Sequence, residues 1–295
     1  MVVKCGPAPT RLAFLRARID GAVVRYLTGG AGAPLVFLHG WGVSTKTYRK
    51  SLEALADRGY RVYAPTLPGF GGAERLKVGR ATLGHYADWV ADFIRDVVPA
   101  HKSQGVTLVG HSFGGGVAIT TAHDHPDLVA RLVLVNSIGG SAWTDYRGMA
   151  RTLRERPLWD WGLHLSADLF PLRQVTRVLP VIIRDAVPNL LRNFPAVWHA
   201  GNLARGADLR RELEVLKQRR LPMIIVWSKR DNVIPDAATA ALRAASGEAT
   251  AITVEGTHGW LLYDPNGFGE VITNVIGAAS AIAQESDTLI ADVGT

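Results

Sequence analysis

The stretch VTLVGHSFGGGVA, Val106–Ala118, decides the reading of this chain. Its opening Val106–Val109 is apolar or β-branched without alternation, which suits a strand buried on both faces. Its end is built of small residues that predict a helix over 114–123. Between them, Gly110-His111-Ser112-Phe113-Gly114 fits the pattern G-x-S-x-G. A serine on a sharp strand-to-helix turn takes strained dihedrals, and side chains at the flanking glycine positions would clash. Such a turn lifts the Ser112 hydroxyl off the sheet edge and aims the next helix's N-terminus at the same point. The pentapeptide alone says little in a chain with 31 glycines. The strand before it and the helix after it carry the reading.

Similar signals lie on either side. Leu35–Leu38, Arg61–Leu67, Leu132–Val135, Met223–Trp227 and Ala249–Val254 read as strands, and 17–28 as a hairpin turning at Asp20-Gly21. Helical periodicity covers 82–98, 236–245 and 267–283. Buried strands alternating with helices predict an α/β fold with a mostly parallel central sheet flanked by helices. Ligands of such sheets bind beyond the carboxyl ends of the strands. The alternation stops over 141–218, which carries Trp143, Trp159, Trp161, Trp198 and prolines at 157, 171, 180, 188 and 195. This segment reads as short helices broken by prolines, inserted as a cap at the ligand end. The core domain is then 1–140 and 219–295, with a tail expected to fray after about 285.

A serine hydroxyl is a weak nucleophile until a base takes its proton. His258, in the stretch EGTHG after the last strand signal, stands at a strand's carboxyl end in the final third of the chain. The base needs a carboxylate to orient it. Asp231 follows the MIIVW strand directly. Asp236 is a rival, but it stands where a helix begins and reads as a cap. The corresponding place after LVLV holds Asn136, which cannot carry the charge. An acyl-transfer transition state also places negative charge on an oxygen. The backbone N–H of Phe113 is one donor for it. That of Trp41, in the His39-Gly40-Trp41-Gly42 loop, is the candidate for the second.

Composition restricts the alternatives. Of 295 residues, 47% are hydrophobic and 20% charged, which suits a globular enzyme and not a disordered chain. The net charge of +7 is scattered, and no groove-reading motif accompanies it, so no nucleic-acid partner is expected. The single cysteine, Cys5, forms no intrachain disulfide and is assigned no chemistry. The N-terminus has no signal-peptide pattern, and no segment has the roughly 18 apolar residues of a bilayer span. A cytoplasmic protein is expected.

These motifs together resemble the α/β-hydrolase superfamily from about 17 to 283. HGWG at 39–42 is similar to its oxyanion loop and GHSFGG at 110–115 to its nucleophile elbow. Asp231 and His258 follow in the family's order, and HGWLLYDPNGF at 258–268 resembles its post-histidine segment. Thr66 stands where the family usually has Asp, and Ser228 where Gly is common. The resemblance implies a serine hydrolase of the carboxylesterase or lipase kind, with Ser112, Asp231 and His258 catalytic and neither metal nor cofactor. The Trp- and Leu-rich cap points to a small-molecule ester-like substrate with an apolar group. Ser112 in place of Asp argues against haloalkane dehalogenase and epoxide hydrolase chemistry. A carbon–carbon bond hydrolase, a cofactor-free perhydrolase and a receptor-type relative with little turnover stay open. Contact of the cationic cap with a membrane surface is the less favoured reading.

Overall fold

The computed structural model describes residues 10–77, 81–99, 105–140, 172–247 and 249–293. Eight strands form one sheet: β1 (Ala13–Ile19), β2 (Ala22–Gly29), β3 (Ala33–Leu38), β4 (Tyr60–Pro65), β5 (Val106–His111), β6 (Val129–Val135), β7 (Met223–Arg230) and β8 (Thr250–Thr257). Their spatial order is β1-β2-β4-β3-β5-β6-β7-β8. The β1–β2 and β2–β4 pairs are antiparallel and all others parallel. The β1–β2 hairpin turns on Asp20 (φ 47°) and Gly21 (φ 73°), the two left-handed residues that a tight hairpin of this twist requires.

The apolar runs follow from burial on both faces. Along β3, β5, β6 and β7, successive side chains alternate between two core layers. Val36, Leu38, Leu108, Leu132, Leu134 and Ile225 enter one layer. Leu35, Phe37, Val109, Val133, Val135 and Ile224 enter the other. With both faces packed, the period of two is hidden in the sequence and each strand reads as uniformly apolar.

Helices α1 (Arg49–Ala56), α2 (Leu83–Val97), α3 (Phe113–Asp124), α4 (Leu172–Arg205), α5 (Arg210–Gln218), α6 (Asp236–Ser246), α7 (Trp260–Tyr263) and α8 (Pro265–Val293) complete the described residues. Helix α2 begins on a reciprocal capping box between Thr82 and His85. Three elements differ from the sequence expectation. Helices α1 and α5 are too short for their apolar periodicity to stand out. Helix α8 continues to Val293, past the point where the tail was expected to fray. Trp143, Trp159, Trp161 and Cys5 lie outside the described residues.

Over the described part the insertion breaks once, just before Pro195, where two helical stretches meet at a kink, and not at Pro180 or Pro188. Pro180, Pro188 and Pro195 all lie inside α4, and helical dihedrals fail only at Asn193 (φ −141°, ψ 32°). A proline removes one helical hydrogen bond and crowds the preceding turn, and Pro195 does so just after this kink. Packing holds the rest of the helix in place. Asp185, Asn189 and Asn193, each four residues after the last, form a polar stripe facing the loops that follow β3 and β4. Asp185 Oδ2 accepts from Ser44 N (2.7 Å), Ser44 Oγ (2.7 Å) and Thr47 Oγ1 (2.7 Å). Asn189 accepts from Gly71 N–H (2.7 Å) and donates to Gly42 O (3.2 Å). Asn193 Nδ2 donates to Gly69 O (3.0 Å), and Trp41 Nε1 donates to Val197 O (2.6 Å).

Asp185→Ala leaves three donors in a buried pocket without an acceptor, at a cost of about 2–3 kcal/mol. Thermal unfolding of this variant should occur several degrees lower, with Asp185→Asn recovering only part of the loss. An unchanged melting temperature for Asp185→Ala would mean that α4 is not held through this contact.

Candidate active site

Strand β5 ends at His111, and α3 begins at Phe113. The residue between them, Ser112, has φ 53° and ψ −118°, a conformation that side-chain-bearing residues avoid and that persists only where surroundings impose it. Here they do. Ser112 N donates to Val135 O (3.1 Å), and Ser112 O accepts from Gly115 N (2.9 Å) and Ile138 N (3.3 Å). Two glycines admit the turn. A Cβ on Gly110 would lie 2.4 Å from Gly114 O, and one on Gly114 would lie 2.3 Å from Leu38 O. The serine is only 5% exposed.

Asp231 follows β7 and His258 follows β8, so parallel pairing of these strands brings both residues to the same end of the sheet as Ser112. His258 Nδ1 lies 2.9 Å from Asp231 Oδ2. The Asp231 side chain is fully enclosed. Its Oδ1 accepts from Val233 N and Ile234 N, both at 2.9 Å. Burial alone would raise the Asp231 carboxyl. The His258 ring, the Ile234 amide and the Asn136 side chain outweigh it and hold the carboxyl below its ordinary range. The rival Asp236 is the first residue of α6, with Pro235 as the cap before it.

Asn136 is the residue whose part the sequence did not disclose. It was passed over because an amide cannot replace an acid, and it does not do so. It is fully buried and adopts φ 44°, a left-handed conformation that Asn tolerates better than most. Trp260 Nε1 donates to Asn136 Oδ1 (3.1 Å). Because an indole N–H can only donate, this bond fixes which way the amide faces. The Asn136 NH2 then donates to Asp231 Oδ2 (2.6 Å) and Ser228 Oγ (2.7 Å). Ser228, in place of the more common Gly, supplies one of these acceptors. No sequence pattern joins Asn136, Ser228 and Trp260, which meet only through strand pairing.

Two further histidines brace the loops. His111 Nε2 faces His258 O at 3.0 Å, so this nitrogen carries the hydrogen. His111 Nδ1 then accepts from Tyr48 O–H (2.9 Å), and Tyr48 Oη accepts from Gly40 N–H (3.1 Å). One chain of bonds thus ties the Trp41 loop, the elbow and the His258 loop. The His111 and His258 ring centroids are 4.9 Å apart. Gly40 is close enough to the elbow that a Cβ there would lie 3.3 Å from Ser112 Cβ. On the other side, His39 Nδ1 donates to Gly40 O (2.9 Å) and its Nε2 accepts from Leu67 N–H (2.9 Å). Burial keeps both rings neutral. It lowers His39 to about 4 and, with the nearby His258, lowers His111 to about 3. Trp41, in the loop after β3, and Phe113, the first residue of α3, therefore lie in segments braced against each other beside Ser112. Among the described residues, no group of three or more His, Cys, Asp or Glu could hold a metal ion.

With this geometry in view, comparison with known proteins places the chain. It belongs to the alpha/beta hydrolase fold family, whose model matches residues 33–265. It is similar to a soluble epoxide hydrolase of Corynebacterium sp. (strain C12), 36% identical over 133 residues, 44% of each chain. Two solved structures share the fold. One is a membrane phospholipase A described as a bacterial virulence factor (TM-score 0.71, 21% identity, 91% of this chain and 87% of that one). The other is a meta-cleavage product hydrolase (TM-score 0.69, 20% identity, 90% of this chain and 98% of that one).

Two predictions follow from the bracing. Asn136→Ala removes a hydrogen bond to a buried charge, worth about 1.5–3 kcal/mol, so phosphonylation of Ser112 should slow by about tenfold or more. A wild-type labelling rate would show that Asp231 is held without it. The second concerns acid. Unfolded, the His39 and His111 rings take up protons near pH 6.5, whereas folded they stay neutral until about pH 4 and about pH 3. Protons therefore favour the unfolded chain. Stability is full above about pH 6.5 and falls as pH drops from there, by about 1.4 kcal/mol per pH unit for each ring, until about pH 4 for His39 and about pH 3 for His111. Denaturant unfolding at a series of pH values should show this slope, flatter in His111→Gln. An identical slope in His111→Gln would refute the assignment for His111.

Proposed function

We propose that this protein is a serine hydrolase that cleaves an ester-like acyl substrate bearing an apolar group, through an acyl-enzyme intermediate. One observation carries the reading: the enclosed Asp231–His258 hydrogen bond stands beside an elbow that forces Ser112 into a strained conformation. In this mechanism His258 Nε2 takes the Ser112 proton as Oγ attacks the substrate carbonyl. Asp231, facing Nδ1, fixes the tautomer and stabilises the imidazolium. The Trp41 and Phe113 amides hold the oxyanion. His258 then gives the proton to the departing alkoxide, which leaves as the alcohol. Water enters, His258 takes one of its protons, the hydroxide adds to the acyl carbonyl, and as the bond to Ser112 Oγ breaks His258 returns the proton to that oxygen, releasing the carboxylic acid. These groups supply nucleophile, base and oxyanion donors without a metal or organic cofactor.

We read the segment 141–218 as a cap on the core of 1–140 and 219–295, with residues 172–218 of it among those described. The docking of α4 on the loops of Trp41 and Gly69 supports this division. The protein works in the cytoplasm on a small molecule. A serine nucleophile separates it from the carboxylate chemistry of epoxide hydrolases, despite the similarity to one.

Ser112→Ala should abolish covalent labelling by a fluorophosphonate probe while leaving the fold intact. Labelling that survives the change would remove Ser112 from the mechanism. Hydrolysis of p-nitrophenyl esters of rising acyl length, set beside a vinylogous diketone, then separates an esterase from a carbon–carbon bond hydrolase. Turnover of the diketone with inert esters would overturn the ester reading.

A further inference from the structure

Between Ile183 and Asn193 helix α4 is amphipathic in the inverted sense, whereas Ile182, Val197, Ala200 and Ala204 bury apolar side chains inward. Its inward stripe is polar, with Asp185, Asn189 and Asn193 bonded to the core loops. Its outward face carries Ile183, Val187, Leu190, Leu191, Phe194 and Trp198. A helix on a water-facing surface normally does the opposite. The concentration is local. Of the nine large apolar side chains that are exposed among the described residues, seven lie on this helix. Leu191 is 81% exposed and Phe194 54%, and Phe194 stacks on Trp198 with centroids 5.8 Å apart. At 100° per residue Ile183, Val187, Leu190 and Leu191 share one face, about 12 Å long, and the exposed Phe194 and Trp198 follow beyond the kink at Asn193.

A basic groove runs along one flank of this face. It encloses about 1190 Å³ between α4 and the loop of residues 68–77, and Arg184, Arg192, Lys46, Arg75, Lys77 and Arg25 line it. Its two acids are Glu74 and Asp185, and Asp185 is already occupied by Ser44 and Thr47. The flank therefore carries a clear positive excess. Charge decides which occupant suits the face. In a symmetric pair whose helices run antiparallel about a two-fold axis across them, this basic flank would lie along the partner's basic flank, like charge against like. A surface of lipid phosphates meets the same cations with opposite charge. An apolar stripe bearing aromatic residues, edged by Arg, is the pattern of a helix lying in a bilayer interface. No helix among the described residues is long and apolar enough to cross one.

We propose that the outer face of α4 docks peripherally on an anionic phospholipid bilayer, with Leu191, Phe194 and Trp198 entering the interface and Arg184 and Arg192 holding phosphate headgroups. This goes beyond the hydrolase reading and does not rest on it, because binding is measured without turnover.

The test is co-sedimentation of the full chain with vesicles. Phosphatidylglycerol and phosphatidylcholine in equal parts are compared with phosphatidylcholine alone. The wild-type chain should sediment with the anionic vesicles, and added salt should release part of it. Leu191→Ser/Phe194→Ser should lower that partition by about tenfold or more. Arg184→Glu/Arg192→Glu should also lose binding to the anionic vesicles. All these positions are exposed, so both variants should melt as the wild type does, and if one misfolds the other still decides. The proposal fails if the wild-type chain ignores anionic vesicles, or if a folded variant binds as well as wild type. It also fails if the chain instead forms a dimer that Leu191→Ser/Phe194→Ser dissolves, which would assign the face to a second copy.

Discussion

His111 donates from Nε2 to the His258 carbonyl and accepts at Nδ1 from Tyr48, whose oxygen in turn holds Gly40. Three loops from three different strands meet in that chain. Catalytic geometry of the acyl-transfer kind tolerates errors well below an ångström, and loops at the end of a sheet do not keep such precision unaided. A neutral imidazole suits the task because it is donor and acceptor at once. An imidazolium would present two donors and leave the Tyr48 hydroxyl with none to receive. Burial, by suppressing the charged form, is what keeps the relay in this state.

A second frame of the same kind lies behind Asp231. A buried carboxylate is costly unless its lone pairs are filled, and here two amides, Asn136 and His258 fill them. Asn136 is itself oriented by Trp260, from the helix just after His258. Asp231 and His258 are thus supported by one connected set of side chains, beside the strained Ser112 backbone.

Helix α4 joins these frames to the outside. Its polar stripe grips the loops that carry Trp41 and Gly69, so whatever happens on its outer face is mechanically close to the candidate oxyanion loop. The choice of polar residues inward and apolar residues outward is one decision seen from two sides. A helix that faced water would have to pay for such exposed apolar surface with nothing gained.

Much of this was legible in the chain itself. VTLVGHSFGGGVA carries a buried strand, a turn that demands glycine and a helix in consecutive residues, because those are local steric requirements. The fold class and the order of Ser112, Asp231 and His258 follow from such local signals at strand ends. Other parts were not legible. Helices α1 and α5 are too brief for periodicity, and the prolines of α4 suggested breaks that tertiary packing overrides at Pro180 and Pro188. Asn136, Tyr48, Ser228 and the two bracing histidines depend on contacts between residues far apart in sequence. Asn136 is 95 positions from the carboxylate it supports. Local sterics decide where a chain turns. Only the register of a parallel sheet decides which distant side chains then face each other, and that register determined what surrounds Ser112.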